Sequence, residues 1–143
     1  MPQANDAELT ELYTASATNR NVENNEPNAD GPANTFVVRL QGVAGSVRGN
    51  DASNYTLRID CIDDTLAAPN GGMSIAPQGQ DFSNAAGSDW QPAGSDFVKE
   101  QTETITVDPG AAGHVLHYVA TLVGVNNDVV SFIESNRFIL VAP

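Results

Sequence analysis

The stretch Tyr55-Thr-Leu-Arg-Ile-Asp-Cys-Ile62 decides the fold class, because apolar and polar side chains alternate along most of it. Tyr55, Leu57, Ile59 and Cys61 share one face at a period of two residues, which is typical of a β-strand with one buried side. Cys61 is the only cysteine, so the chain has no intramolecular disulfide. Its place on the apolar face predicts a buried core thiol.

Similar patterns lie on both sides of this stretch. Further strands are predicted at Thr35–Gln41, Thr102–Val107, His114–Val125, Val129–Glu134 and Arg137–Ala142. Residues 63–95 are less regular, and short strands are expected there near residues 73–76 and 81–83. About seven short strands separated by Gly, Pro and Asn turns are typical of an antiparallel β-sandwich.

One segment resembles a known family. The run His117-Tyr-Val-Ala-Thr-Leu-Val-Gly-Val-Asn-Asn-Asp-Val-Val-Ser-Phe132 is similar to the F–G hairpin of immunoglobulin-like and fibronectin-III-like domains. The resemblance implies that residues 35–143 form an all-β, immunoglobulin-like antiparallel sandwich. This sequence lacks the family's disulfide, and Trp90 falls in a Pro/Gly-rich segment rather than on an early strand.

Residues 1–34 lack the strand patterns of the rest of the chain, and they predict an N-terminal arm. Asn5 and Glu8 form a pattern like a capping box, and Leu9, Leu12 and Tyr13 follow at helical spacing. These features predict one short helix at about residues 6–17, followed by an Asn-rich linker at 18–34. An isolated helix of this length is marginal in water. The stripe is therefore expected to dock on its own body, on a neighbouring subunit or on another protein.

The charge balance excludes several classes of partner. Eighteen acids against six bases give a formal charge of −12. Without a basic patch, phosphate backbones and anionic lipids are repelled, so no nucleic-acid or membrane partner is expected. No apolar run approaches the ~18 residues of a membrane span. The first residues lack a secretory signal pattern, which predicts folding in a cytoplasm.

The titratable residues give no catalytic, cofactor or metal motif. His114 and His117 have H-x-x-H spacing, but side chains three apart on a strand point to opposite faces. Asp60, Asp63 and Asp64 lie together at a strand end, where they form either a solvated acidic corner or a weak calcium site. We therefore expect no enzyme and no cofactor.

The functional prediction follows from the arm and the sandwich together. Small phage capsid decoration proteins are similar in size and organisation, and the resemblance implies a structural virion protein. It would be made in the host cytoplasm and displayed on the virion surface. Its expected partners are a homo-oligomer, with a trimer as one option, and the major capsid protein or another virion protein. Leu9, Leu12 and Tyr13 would make the contacts. The alternative is a carbohydrate- or receptor-binding module that uses the loop around Trp90. For Trp90 itself, packing in the core or in an interface is favoured over ligand binding.

Overall fold

The computed structural model describes residues 7–28, 34–45, 54–81, 90–124 and 129–141. These residues form ten β-strands and one 3₁₀ turn at Pro109–Ala111. The strands are β1 Ala7–Ser16, β2 Asn19–Glu23, β3 Thr35–Ala44, β4 Asn54–Asp63, β5 Ala68–Asp81, β6 Gln91–Ala93, β7 Asp96–Thr106, β8 Val115–Val123, β9 Val129–Glu134 and β10 Phe138–Ile139.

The strands form two sheets in which every pairing is antiparallel. Sheet A has the order β2-β1-β3-β7-β6. Sheet B has the order β10-β8-β4-β5, and β9 also pairs with β8. One core of buried side chains from both sheets lies between them. The prediction of an all-β sandwich is confirmed.

The alternation in β4 is realised as predicted. Tyr55, Leu57, Ile59 and Cys61 are all buried, with at most 5% of each exposed. Their register sets them beside the core-facing residues of β8, with Cys61 opposite Tyr118. Such directly opposed side chains are the units that stabilise a sheet. The period-two pattern of this one strand therefore fixed both its type and its buried face.

The predicted helix at residues 6–17 is wrong, because this segment is strand β1. A β-bulge interrupts the register between Leu9 and Glu11, so one extra residue enters the strand. Before the bulge Leu9 faces the core, and after it Leu12 and Thr14 do. The bulge turns period-two spacing into the i, i+3 spacing of Leu9 and Leu12, which imitates a helix.

The predicted linker is also held against the sandwich as far as residue 28. Strand β2 lies within it and pairs with the end of β1. Beyond β2, the backbone N–H of Asn24 donates to the Thr14 carbonyl at 2.8 Å, and the N–H of Ile139 donates to the Asn25 carbonyl at 2.8 Å. The Asn28 amide exchanges two hydrogen bonds with the backbone of Val141. Residues 7–28 are thus part of the sandwich and do not form a separate arm.

Replacing Leu12 with alanine tests this correction. The side chain is 5% exposed and lies in the core cluster. We expect Leu12→Ala to lower the free energy of unfolding by about 2–4 kcal/mol, since the cavity removes packing as well as burial. Urea denaturation measures this directly. An arm detached from the body would instead leave the unfolding of residues 35–143 unchanged.

Polar contacts connect the two sheets along both lateral edges of the sandwich. On one side the N–H of Leu9 donates to Ser131 Oγ at 3.0 Å, and the N–H of Thr14 donates to Asn136 Oδ1 at 3.1 Å. On the other side Gln101 Nε2 donates to Gln78 Oε1 at 2.7 Å. These bonds connect sheet A to sheet B directly. They fix which residues of sheet B remain on the outside.

Several predicted boundaries change. Strand β3 continues through Gly42 to Ala44, β5 is a single long strand instead of short pieces, and β7 begins at Asp96. Strand β9 has the predicted bounds. Only Phe138 and Ile139 of the last predicted strand pair as a strand. The turn predicted at residues 125–128 lies outside the described residues.

Candidate interaction face

The outward side of sheet B is the most distinctive surface of the molecule, and we call it the β8 face. Along β8, Leu116, Tyr118, Ala120 and Leu122 are fully buried between the sheets. Because side chains alternate, their neighbours point outward. The β8 face is formed by Val115, His117, Val119, Thr121 and Val123 of β8 and by the side chains paired with them on β4, β9 and β10.

Exposed apolar side chains are concentrated on this face. Seven large apolar side chains are exposed among the described residues, and Val22 on β2 is the only one away from the β8 face or its margin. The other six are Leu66, Val115, Val129, Phe132, Ile139 and Val141. Single exposed apolar residues are ordinary, whereas their collection on one side of a small domain marks a contact surface.

The apolar side chains occupy the two ends of the face. At one end Val115 lies directly opposite Ile139, and the turn that carries Leu66 is bonded to Val115. At the other end Val129 lies opposite Val123, and Phe132 lies opposite Thr121. Phe132 is 65% exposed, the highest value among these side chains. Both ends therefore present apolar surface to the solvent.

A charged network separates the two ends. His117 Nδ1 donates to Asp64 Oδ2 at 2.8 Å, and the same carboxylate oxygen lies 3.4 Å from Arg137 Nε. Glu134 extends the network, with Oε1 4.0 Å from His117 Nε2 and Oε2 3.9 Å from Arg137 NH1. The His117 side chain is only 8% exposed because these neighbours cover it. The middle of the face is thus polar and internally paired.

A second histidine holds the adjoining turn. His114 Nδ1 donates to Asp63 Oδ2 at 2.6 Å, and the backbone N–H of Leu66 donates to Asp63 Oδ1 at 3.1 Å. Asp63 is 2% exposed, and this burial by itself opposes ionisation. The hydrogen bonds from His114 and from the turn backbone outweigh it, and they lower the pKa of the Asp63 carboxyl. Asp63 is a buried carboxylate that anchors the turn bearing Leu66.

The lowered pKa of Asp63 makes stability depend on acidity. An unfolded aspartate has a pKa of about 3.9, so this contribution is fully present above that pH and is lost as the pH falls through the folded pKa. We expect the thermal midpoint to fall on acidification below about pH 4 and to fall less in Asp63→Asn. Circular dichroism melts between about pH 2 and pH 7 compare the two proteins. Equal losses would contradict the role of this carboxylate.

The two sheets differ in outward charge. On the β8 face three carboxylates, Asp60, Asp64 and Glu134, oppose two guanidinium groups, Arg58 and Arg137, which leaves −1 among the described residues. The whole chain carries −12. The β8 face is therefore close to neutral on a strongly acidic molecule.

The outward side of sheet A has the opposite character. Glu8, Glu11 and Glu100 are exposed there, and Arg39 forms an ion pair with Glu100 at 3.5 Å. None of the exposed large apolar side chains of the described residues lies on β3 or β7. An acidic surface with few exposed large apolar side chains favours contact with solvent.

The predicted binding stripe of the arm faces inward. Leu9 and Leu12 are 6% and 5% exposed and belong to the core. Tyr13 is half-buried on the opposite side of β1, where its hydroxyl donates to the Arg20 carbonyl at 3.4 Å. It lines an open cleft of about 420 Å³ together with Glu11 and Glu23. Leu9 and Leu12 therefore pack within their own chain and are not available to another subunit, whereas Tyr13 lies outside the core.

Trp90, the residue of the alternative prediction, is 0% exposed. It immediately precedes β6 and lies over Gly42, where a Cβ would be 2.8 Å from the indole Cη2. A buried indole cannot stack on a sugar at the surface. Core packing is the role that the structure supports for Trp90 itself. Residues 82–89 of the loop around it lie outside the described residues, so a binding module that uses this loop stays a prediction.

The structure places the histidines and the acidic corner together, which the sequence did not predict. His114 and His117 do point in different directions, and each bonds a different carboxylate, Asp63 or Asp64. Asp60 lies farther along β4, opposite Val119. Among the described residues, no group of three or more His, Cys, Asp or Glu side chains could hold a metal ion. The two histidine–carboxylate pairs hold the turn after β4 to the start of β8.

Cys61 is fully buried, as predicted. Burial raises the pKa of its thiol to about 12. Since the thiolate is the reactive form, the folded protein has an unreactive cysteine at neutral pH.

In the described part of the chain, no helix is long and apolar enough to cross a membrane.

Comparisons with known proteins give little further information. No family model matches the chain, and no curated protein matches it. A β-glucuronidase of Bifidobacterium dentium, solved in complex with coumarin-3-O-glucuronide, is similar over 94% of this chain and 17% of that chain. The identity is 15% and the TM-score is 0.36. This chain thus spans less than a fifth of that enzyme's length, and a likeness this weak carries no argument about activity.

Proposed function

We propose that this protein is a non-enzymatic structural component of a virion that decorates a capsid and makes its contacts through the β8 face. The concentration of six of the seven exposed large apolar side chains on that face or its margin carries the proposal. Exposed apolar side chains collected on one side of a small domain support a contact surface for another protein. The proposed partners are other virion subunits, including a capsid protein.

The proposed contact surface replaces the arm. Leu9 and Leu12 lie in the core, so they support the fold of the protein and not its attachment. The acidic outward side of sheet A would face solvent while the β8 face meets another virion subunit. Binding only to assembled particles would stabilise them by mass action.

An immunoglobulin-like relationship is part of the same proposal. It is supported by two facing antiparallel sheets and by the antiparallel pairing of β8 with β9 in the segment that resembles the F–G hairpin. Cys61 is the only cysteine, so a sandwich of this kind would be stable without the family's disulfide.

Labelling of virus particles tests the proposed function. An antibody against this protein should bind the outer surface of particles purified from cells that carry its gene. Purified wild-type protein should rebind particles from which it has been stripped, and Phe132→Asp should not. Val22→Asp is the matched control, since it adds the same charge at an exposed apolar position on β2. Particles that lack the protein would overturn the proposal.

A further inference from the structure

We propose that the β8 face packs against the same face of a second copy of this chain, forming a two-fold symmetric dimer. The proposal rests on the proposed role of the β8 face as a contact surface and names its occupant. Three observations support it: the charge of the face, the order of apolar and charged groups along it, and an arginine without an ion pair.

Charge favours this face over the outward side of sheet A for self-association. Two copies of a chain that carries −12 repel each other. Contact through the outward side of sheet A would bring Glu8, Glu11 and Glu100 toward their equivalents in the other copy, with Arg39 offsetting one of the three charges. The β8 face carries only −1, so contact through it adds little short-range repulsion.

The order of groups along β8 suits a two-fold contact. Apolar side chains at Val115 and Ile139 are followed by the charged network around His117, and then by apolar side chains at Phe132 and Val129. In an isologous interface both copies use the same surface, so a contact of residue i with residue j is repeated as a contact of j with i. An axis lying in the interface plane sets apolar ends on apolar ends whether the two β8 strands run in the same or in opposite directions.

Arg58 provides electrostatic complementarity. It is exposed on the face, opposite Thr121, and it has no ion pair among the described residues. Asp60 lies two residues along the same strand, and Glu134 lies opposite Val119 on the next level of the face. A second copy brings a further set of these carboxylates within reach of Arg58. The same contact is made twice, as two-fold symmetry requires.

Engineered cysteines at the centre of the face test the dimer. A residue close to a two-fold axis faces its own equivalent, so Val119→Cys or Thr121→Cys should form an intermolecular disulfide under mild oxidation. Thr104→Cys, exposed on the outward side of sheet A, is the control. Cys61 is fully buried and gives no background.

We expect at least one of the two central variants to cross-link about a hundredfold faster than Thr104→Cys, because paired sites raise the effective thiol concentration to millimolar. Equal rates for all three variants, or no covalent dimer from either central variant, would overturn the dimer. The particle-labelling experiment is independent of this result. Labelling without cross-linking would reject the second copy as the occupant and leave the virion role intact, whereas cross-linking without labelling would reject the virion role alone.

Discussion

Trp90→Ala should lower the free energy of unfolding by about 3–5 kcal/mol, as expected for the loss of a fully buried aromatic side chain. The indole is 0% exposed and packs over Gly42, where the absence of a side chain makes room for it. Truncation to alanine leaves a cavity between the start of β6 and the last residues of β3. A strand residue cannot move to fill such a cavity without breaking its pairing.

Chemical denaturation of Trp90→Ala beside Phe132→Ala measures this effect. Phe132 is also aromatic but 65% exposed, so its truncation should change stability by less than about 0.5 kcal/mol. The opposite pattern, with Trp90→Ala as stable as the wild type and Phe132→Ala destabilised, would contradict the packing described here. The comparison separates a core aromatic residue from an interface aromatic residue.

Asp63→Asn is the second substitution with a large expected effect, a loss of about 2–4 kcal/mol at neutral pH. The buried carboxylate accepts hydrogen bonds from His114 Nδ1 and from the backbone N–H of Leu66. The asparagine amide has the same shape as the carboxylate but no charge. Its NH2 group would point toward one of the two N–H groups that the carboxylate oxygens accept from. The buried groups that relied on the carboxylate then lose part of their hydrogen bonding.

A double-mutant cycle assigns this loss to the correct partner. His114→Asn alone and Asp63→Asn alone should each destabilise the protein, and the pair together should cost less than their sum by about 1–3 kcal/mol. Asp64→Asn is the control, since the Asp64 side chain is 31% exposed and should cost less. Strict additivity of the Asp63 and His114 substitutions would contradict their hydrogen bond.

Regular alternation made the centre of the fold predictable from sequence. Strand β4 pairs with β8 in unbroken register from Thr56 to Asp63, and β9 has the predicted bounds. β5 was predicted only in part, because Pro69, Pro77 and several glycines interrupt the pattern. Those residues are tolerated because β5 is an edge strand, where a missing N–H breaks no pairing. Gly42 likewise looked like the end of a strand but marks the close approach of Trp90.

A local irregularity explains why the sequence pattern predicts a helix where the structure has strand β1. A single inserted residue between Leu9 and Glu11 is enough to make a strand look helical over one turn. No sequence pattern identifies a bulge of this kind in advance. The consequence is functional as well as structural, since Leu9 and Leu12 of the predicted binding stripe are part of the core.

The β8 face could have been predicted in part. Residues 114–125 are apolar on both sides, which suits a strand in the middle of a sheet, yet a two-sheet sandwich covers only one side of each sheet. The remaining apolar side therefore needs another partner. The pairing of His114 with Asp63 and of His117 with Asp64 could not be predicted, because it joins segments 51 and 53 residues apart.

The solution mass of the full chain tests most directly whether the β8 face is a contact surface between copies. Sedimentation of the wild type at about 10–100 µM should give twice the 15.0 kDa of one chain. Phe132→Asp should sediment as a single chain, because a buried charge at an apolar contact typically costs more than about 2 kcal/mol, and Val22→Asp should remain a dimer. A wild-type protein that stays at 15.0 kDa throughout, or a Phe132→Asp variant with the wild-type mass, would contradict the account.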